Sequence, residues 1–222
     1  MAHALARDAV HAGLDEQALV EGLPSWRQWG APVVVASAAA DRRSYLLRPD
    51  LGRRLAEGAA AALAVQAGGG AFDLVVVLGD GLSALALQRH AGPLLSALLP
   101  ALSGWRVAPL VLVRGARVAV GDAVAEAIGA GAVLVLLGER PGLSAPDSLG
   151  AYASWAPRVG MADAERNCVS NIRPEGLGYA EAAYRLAFLL EGMRRAGMSG
   201  VGLKDESDLG LVARDERPGL RG

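Results

Sequence analysis

Apolar positions along this chain follow two different rhythms. Leu74–Leu78 and Ala132–Leu137 are short unbroken apolar runs, the mark of strands buried on both faces. Val107–Val113 reads as another strand, and Val33–Val35 is a briefer β-rich run. Between them the period becomes helical. Ser83–His90 reads as one helix, with Pro93 restarting a second that runs to Leu102. Asp122–Ile128 is a further helix, stopped by Gly129. In Tyr179–Ala196, Ala183, Leu186, Ala187, Leu190 and Met193 share a face, and Gly197 ends the helix. Val201–Leu203 reads as a last strand. Buried strands alternating with helices predict an α/β fold: a mostly parallel sheet with helices on both faces.

The N-terminal part is less regular. Leu5, Leu14, Ala18 and Leu19 form a weak apolar stripe that Pro24 and Gly30 stop. Arg48-Pro49-Asp50 looks like a helix start with Asp50 as its cap, leading to a helix over Ala56–Gln66. Gly68-Gly69-Gly70 is the best boundary in the chain. The expected division is a small N-terminal helical or extended region at 1–68, an α/β domain at 69–205 and a flexible tail at 206–222.

Composition narrows the function classes. The 222 residues suit one ordinary domain, or one with a small arm. Lys and Arg total 22 against 23 Asp and Glu, a balance that argues against nucleic acid as a partner. A single Cys rules out an intramolecular disulfide. Hydrophobic residues reach 52% with only 5% aromatic, and mean hydropathy is +0.29. Such a chain either spans a membrane or shares apolar surface. A spanning helix needs about 20 apolar residues. The longest candidate, Leu82–Leu102, is interrupted by Gln88, Arg89, His90, Pro93 and Pro100, and Met1–Val10 lacks a signal-peptide centre. The expectation is a soluble, cytoplasmic chain with no membrane partner, poorly soluble without whatever covers its shared surface.

In open α/β sheets, ligands bind outside the carboxyl ends of the strands. Here those ends are Gly79-Asp80-Gly81, Arg114-Gly115 and Gly138-Glu139-Arg140, the last followed by a long Gly/Pro/Ser loop expected over Pro141–Trp155. Gly79-Asp80-Gly81-Leu82-Ser83-Ala84 matches the dinucleotide fingerprint between a strand and a helix. No acid lies between Asp80 and Asp122 to hold a ribose, although Arg114 would suit a 2′-phosphate. An NADP-type oxidoreductase is therefore one reading of the turn; a tight turn that needs glycine is another. His3, His11 and His90 have no metal-ligand spacing with Cys168. There is no nucleophile elbow and no P-loop. The polar edge points to binding rather than to catalysis.

Several strings carry a resemblance. Tyr45-Leu-Leu-Arg-Pro-Asp-Leu-Gly-Arg-Arg-Leu55, Gly79-Asp-Gly-Leu-Ser-Ala84, Arg117-Val-Ala119, Val135-Leu-Leu-Gly-Glu-Arg-Pro-Gly-Leu143 and Arg166-Asn-Cys-Val-Ser-Asn-Ile172 resemble segments of the small (light) subunit of ethanolamine ammonia-lyase. The likeness runs over roughly residues 45–205. It implies a Rossmann-like α/β domain and a subunit of a lyase that converts ethanolamine to acetaldehyde and ammonia with adenosylcobalamin. It further implies a large partner subunit that holds the catalytic residues, so no catalytic or metal-ligating residue is expected on this chain. The corrin would lie between the subunits, with heterodimers paired into tetramers and three tetramers per particle, often within a bacterial microcompartment. The cofactor contacts map onto Val118, Glu139 and Cys168. No Asp-x-His-x-x-Gly string is present, so the cofactor would keep its own lower base. A non-catalytic scaffold subunit with a vestigial cleft is the remaining alternative.

Overall fold

The structure is a computed structural model that describes residues 13–23, 30–139, 142, 147–204 and 207. The expectations for residues 1–12, 24–29 and Arg140, and for the tail beyond Lys204 apart from Ser207, lie outside the described residues.

Six strands form one sheet: β1 (Val33–Ala36), β2 (Phe72–Gly79), β3 (Val111–Arg114), β4 (Ala130–Gly138), β5 (Leu149–Trp155) and β6 (Asn167–Ile172). Their order is β1-β3-β2-β4-β5-β6. The first four are mutually parallel, while β5 runs antiparallel to both β4 and β6. The helices are α1 (Glu16–Glu21), α2 (Arg42–Leu47), α3 (Ala59–Ala67), α4 (Ala84–Leu98), α5 (Val120–Ile128) and α6 (Tyr179–Ala196).

The central strands explain the two covered faces. Successive side chains of a strand point to opposite sides. In β2, Leu74, Val76 and Leu78 join one core with α4 and α6, whereas Val75 and Val77 join a second core with α3 and α5. β4 repeats the rule, with Leu134 and Leu136 on the first side and Val133 and Val135 on the second. The leucine face meets helices that bring leucines of their own, including Leu94, Leu98, Leu186 and Leu190. The valine face meets α5 at close range, because a Cβ on Gly121 would stand 2.4 Å from Val135 Cγ2. Each fully buried leucine contributes about 1.5–3 kcal/mol of transfer free energy.

Several sequence expectations need correction. Pro93 does not divide α4, which runs unbroken through it. Its buried stripe of Leu87, Ala91, Leu94, Leu95 and Leu98 holds the helix together across the missing N–H. Asp50 caps nothing; its carboxylate is held by Arg48 at 2.8–2.9 Å and by Arg54 at 3.2 Å. The helix start lies earlier, where Asp41 accepts the Ser44 N–H at 2.7 Å and begins α2. The later helix begins at Ala59 rather than Ala56. Val107 only bridges to Leu74, and the strand proper begins at Val111. Gly200–Gly202 is a 3-10 turn, not a strand. The expected loop over Pro141–Trp155 contains β5 from Leu149 onward.

β1 belongs to the N-terminal region and forms one edge of the sheet beside β3. β6 forms the other. The Asn167 side chain there bonds Gly200 and Leu203, Asn171 takes a left-handed φ of 56°, and Ile172 bridges to Leu177. No helix among the described residues is long and apolar enough to cross a membrane.

Candidate functional site

The turn after β2 is shaped by backbone crowding. Gly81 has φ +56°, and a Cβ there would stand 2.3 Å from the Gly138 carbonyl oxygen. Gly138 is as tightly placed, 1.9 Å from Ser83 O by the same measure. The Leu82 N–H donates to Gly138 O at 2.9 Å. Ser83, fully buried, caps α4 by accepting the Ala86 N–H at 3.2 Å. The glycines of the dinucleotide-like string thus let β2, α4 and β4 touch, and the helix start is closed by the chain's own atoms. Arg114, the candidate for a 2′-phosphate, is paired instead with Glu16 of α1.

Asp80 turns toward β3. Its carboxylate accepts the Ala116 N–H at 3.1 Å. Burial raises its pKa, against the pull of Ala116, Arg42, Gly115 and Gly81. This contact steadies the loop after β3, which carries Arg117 and Val118. A second contact comes from the 3-10 turn Leu51–Arg53. The Arg117 N–H donates to Gly52 O at 2.8 Å, and a Cβ on Gly52 would stand 2.7 Å from Arg117 Cγ. Only glycine allows that approach. Tyr45, 1% exposed, lies beneath two guanidinium groups, Arg42 at 4.8 Å and Arg117 at 4.5 Å from its ring centre. Arg117 donates to Tyr45 O at 3.2 Å, but its buried Nε has no hydrogen-bond partner among the described residues. The Val118 N–H also has no acceptor among the described residues.

The third group gathers at the end of β4. Glu139 Oε2 accepts from Ser148 Oγ at 2.7 Å and from the Asn171 N–H at 3.3 Å. Its Oε1 has no hydrogen-bond partner among the described residues and leans over Gly150, 2.7 Å from where a Cβ would be. The Tyr152 ring presses on the same point, at 2.9 Å. Across the β5–β6 ladder, Tyr152 pairs with Cys168, and the two side chains influence each other's protonation. Burial, followed by the negative potential of the thiol and of Glu139, raises the Tyr152 pKa. The Cys168 residue is exposed, but the atoms packed about its sulfur, then the Glu139 charge, push the thiol up to about 11. It is a neutral thiol near pH 7, not an activated nucleophile.

These groups enclose a cleft of about 450 Å³ outside the carboxyl ends of β2, β3 and β4, lined by Arg53, Arg117, Val118, Glu139 and Tyr152 among others. Val118 and Glu139 therefore meet at one site. Cys168 does not line this cleft. It sits on β6, not in a loop, beside a shallower hollow with Ser170 and Asn171, and Tyr152 connects it to Glu139. Tyr152 and Arg53 escaped the sequence reading. The available signal for Tyr152 was a period of two, with Leu149, Ala151 and Ala153 buried on one side of β5. His90 is buried on α4 and bonds Tyr179 at 2.8 Å and the Asp147 carbonyl at 2.7 Å, which makes it a fastening between elements. No cluster of potential metal ligands occurs among the described residues.

Comparison with known proteins shows the family of the chain. The ethanolamine ammonia-lyase light chain family matches over residues 1–204. An ethanolamine ammonia-lyase small subunit of Xanthomonas campestris pv. campestris is 53% identical over 219 residues, covering 97% of this chain and 80% of that protein. The Azotobacter vinelandii small subunit is 53% identical over 94% of this chain and 78% of its own length. The Pseudomonas aeruginosa protein of the same name is 52% identical over 94% and 77%. The chain belongs to the ethanolamine ammonia-lyase light chain family.

Proposed function

We propose that this chain is the small subunit of an adenosylcobalamin-dependent ethanolamine ammonia-lyase and that its carboxyl-edge cleft completes the cobalamin site against a large, catalytic subunit. The observation that carries the reading is the meeting of Val118 and Glu139 at one cleft, each with a polar group that has no partner among the described residues. Glu139 Oε1 is an acceptor suited to a corrin side-chain amide, and the Val118 N–H is a donor suited to an amide carbonyl. Arg117 lines the same cleft, and its buried Nε has no hydrogen-bond partner among the described residues. Cys168, a neutral and polarizable group, would pack against the rim of the ligand.

Adenosylcobalamin, when bound, supplies the radical chemistry that converts ethanolamine to acetaldehyde and ammonia. This chain's residues bind and orient. Asp80 and Gly52 fix the loop that presents Val118, while Ser148 and Asn171 hold Oε2 of Glu139 and leave Oε1 for a ligand donor. His90, the histidine among the described residues, has both ring nitrogens engaged and is not offered to cobalt. Heterodimers paired into tetramers, three to a particle, in the cytoplasm or a microcompartment, complete the proposal.

The test is co-expression with the large subunit and an absorption spectrum of the purified complex with and without adenosylcobalamin. Cofactor-dependent deamination of ethanolamine and a bound-corrinoid spectrum are expected. Full activity of the large subunit alone would refute the proposal.

A further inference from the structure

Arg53 is an exposed guanidinium with no hydrogen-bond or ion-pair partner among the described residues, and it lines the cleft. Arg117 lines the same cleft, its Nε buried and without a hydrogen-bond partner among the described residues. The two are not neighbours by chance. Gly52 brings the Leu51–Arg53 turn onto the Arg117 backbone at a distance that admits no side chain. Stacking of Arg117 on Tyr45 further fixes its plane. Both cations therefore stand on the side of the cleft that ends β3. Glu139 and Tyr152 stand on the side that ends β4, and β2 lies between. Two strand spacings separate the walls, roughly 10 Å. A ligand that satisfies both walls carries an anionic group at one end and hydrogen-bond donors at the other.

We infer that Arg53 and Arg117 form the anion-recognising wall of this cleft and take the phosphodiester of the cobalamin nucleotide tail, while Glu139 takes the amides of the corrin rim. The inference rests on the cobalamin reading above and adds an orientation to it. Guanidinium groups match phosphate oxygens in charge and in hydrogen-bond geometry. The neutral corrin amides have no need of two cations.

The experiment uses the complex with the large subunit, titrated with cyanocobalamin and with dicyanocobinamide, a corrinoid that lacks the phosphodiester tail. Arg53→Gln is the main variant because the side chain is exposed and unpaired. It should weaken cyanocobalamin binding about tenfold, the size of one charge-assisted hydrogen bond, and leave dicyanocobinamide binding unchanged. Glu139→Gln should weaken both ligands. Arg117→Lys, which keeps the charge but loses the planar fork, should also affect cyanocobalamin alone. Equal weakening of both corrinoids by Arg53→Gln, or no change in either, overturns the assignment. So does loss of the large subunit from Arg53→Gln on size exclusion, which would place a partner carboxylate there. If the unaltered complex binds neither corrinoid, the cobalamin reading itself fails.

Discussion

Arg166 lays its two terminal nitrogens on the two carboxylate oxygens of Asp122, at 2.6 and 2.7 Å, with the side chains 3% and 0% exposed. The same guanidinium donates to Met161 O and to Ser154 Oγ. One buried pair thus ties the first turn of α5 to the segment that enters β6. Removing Asp122 leaves buried Arg166 with only the more distant carboxylate of exposed Asp163, at 3.7 Å, and breaking such a buried pair costs about 3–5 kcal/mol. Asp122→Ala is expected to lose that much stability in denaturant unfolding. A loss under about 1 kcal/mol would mean the pair behaves as an exposed one.

Gly81→Ala tests the turn that mimics a dinucleotide fingerprint. The left-handed backbone alone costs about 1–3 kcal/mol for a residue with a side chain. The Cβ would also strike the Gly138 carbonyl. The variant should unfold at lower temperature. NADPH should produce no fluorescence shift with either protein, because the Ser83 cap and the Gly138 backbone already fill the helix start.

Glu139→Ala should weaken cobalamin binding by about 10-fold or more, the effect of losing a hydrogen bond to a charged acceptor, with assembly largely unaltered. Gly150→Ala should reproduce the effect while Glu139 remains in place. Its methyl group would occupy the space now taken by Glu139 Oε1 and the Tyr152 ring. Parallel titrations of the two variants check this, and normal affinity in Gly150→Ala would contradict the packing.

Cys168 should alkylate slowly. With a thiol pKa near 11, about one in a thousand molecules is thiolate at pH 8. The neighbours act with opposite sign. Glu139 raises the pKa and Tyr152 lowers it, so Glu139→Gln should speed iodoacetamide labelling and Tyr152→Phe should slow it. The raised pKa also means that the folded chain retains a proton that the unfolded chain gives up. The associated stability is present below the ordinary thiol range near 9 and is lost as the pH climbs toward 11. Labelling rates against pH measure the position directly.

What the sequence revealed followed from periodicity. The runs Leu74–Leu78 and Ala132–Leu137 could be read as strands because both faces are covered, so no polar residue interrupts them. α6 was legible to its ends because Gly197 stops it in a left-handed cap. β5 was hidden because Gly150, Ala151 and Ala153 are small and the strand follows a Gly/Pro-rich stretch. β6 was hidden because Ser170 and Asn171 give its outer positions a loop-like composition. The edge that holds Val118 and Glu139 was visible as polar residues at strand ends. Tyr152 and Arg53 reach that cleft through an antiparallel pairing and a glycine contact, neither of which leaves a mark in local sequence.

The finish of β6 has a consequence for how this molecule can associate. A bare outer strand invites another chain to extend the sheet. Here one end of the strand is tied to Gly200 and Leu203 through Asn167, and the other turns away at Asn171 into the Leu177 bridge. A further strand could pair along β6 only by displacing these contacts, so the sheet is guarded against extension at this edge.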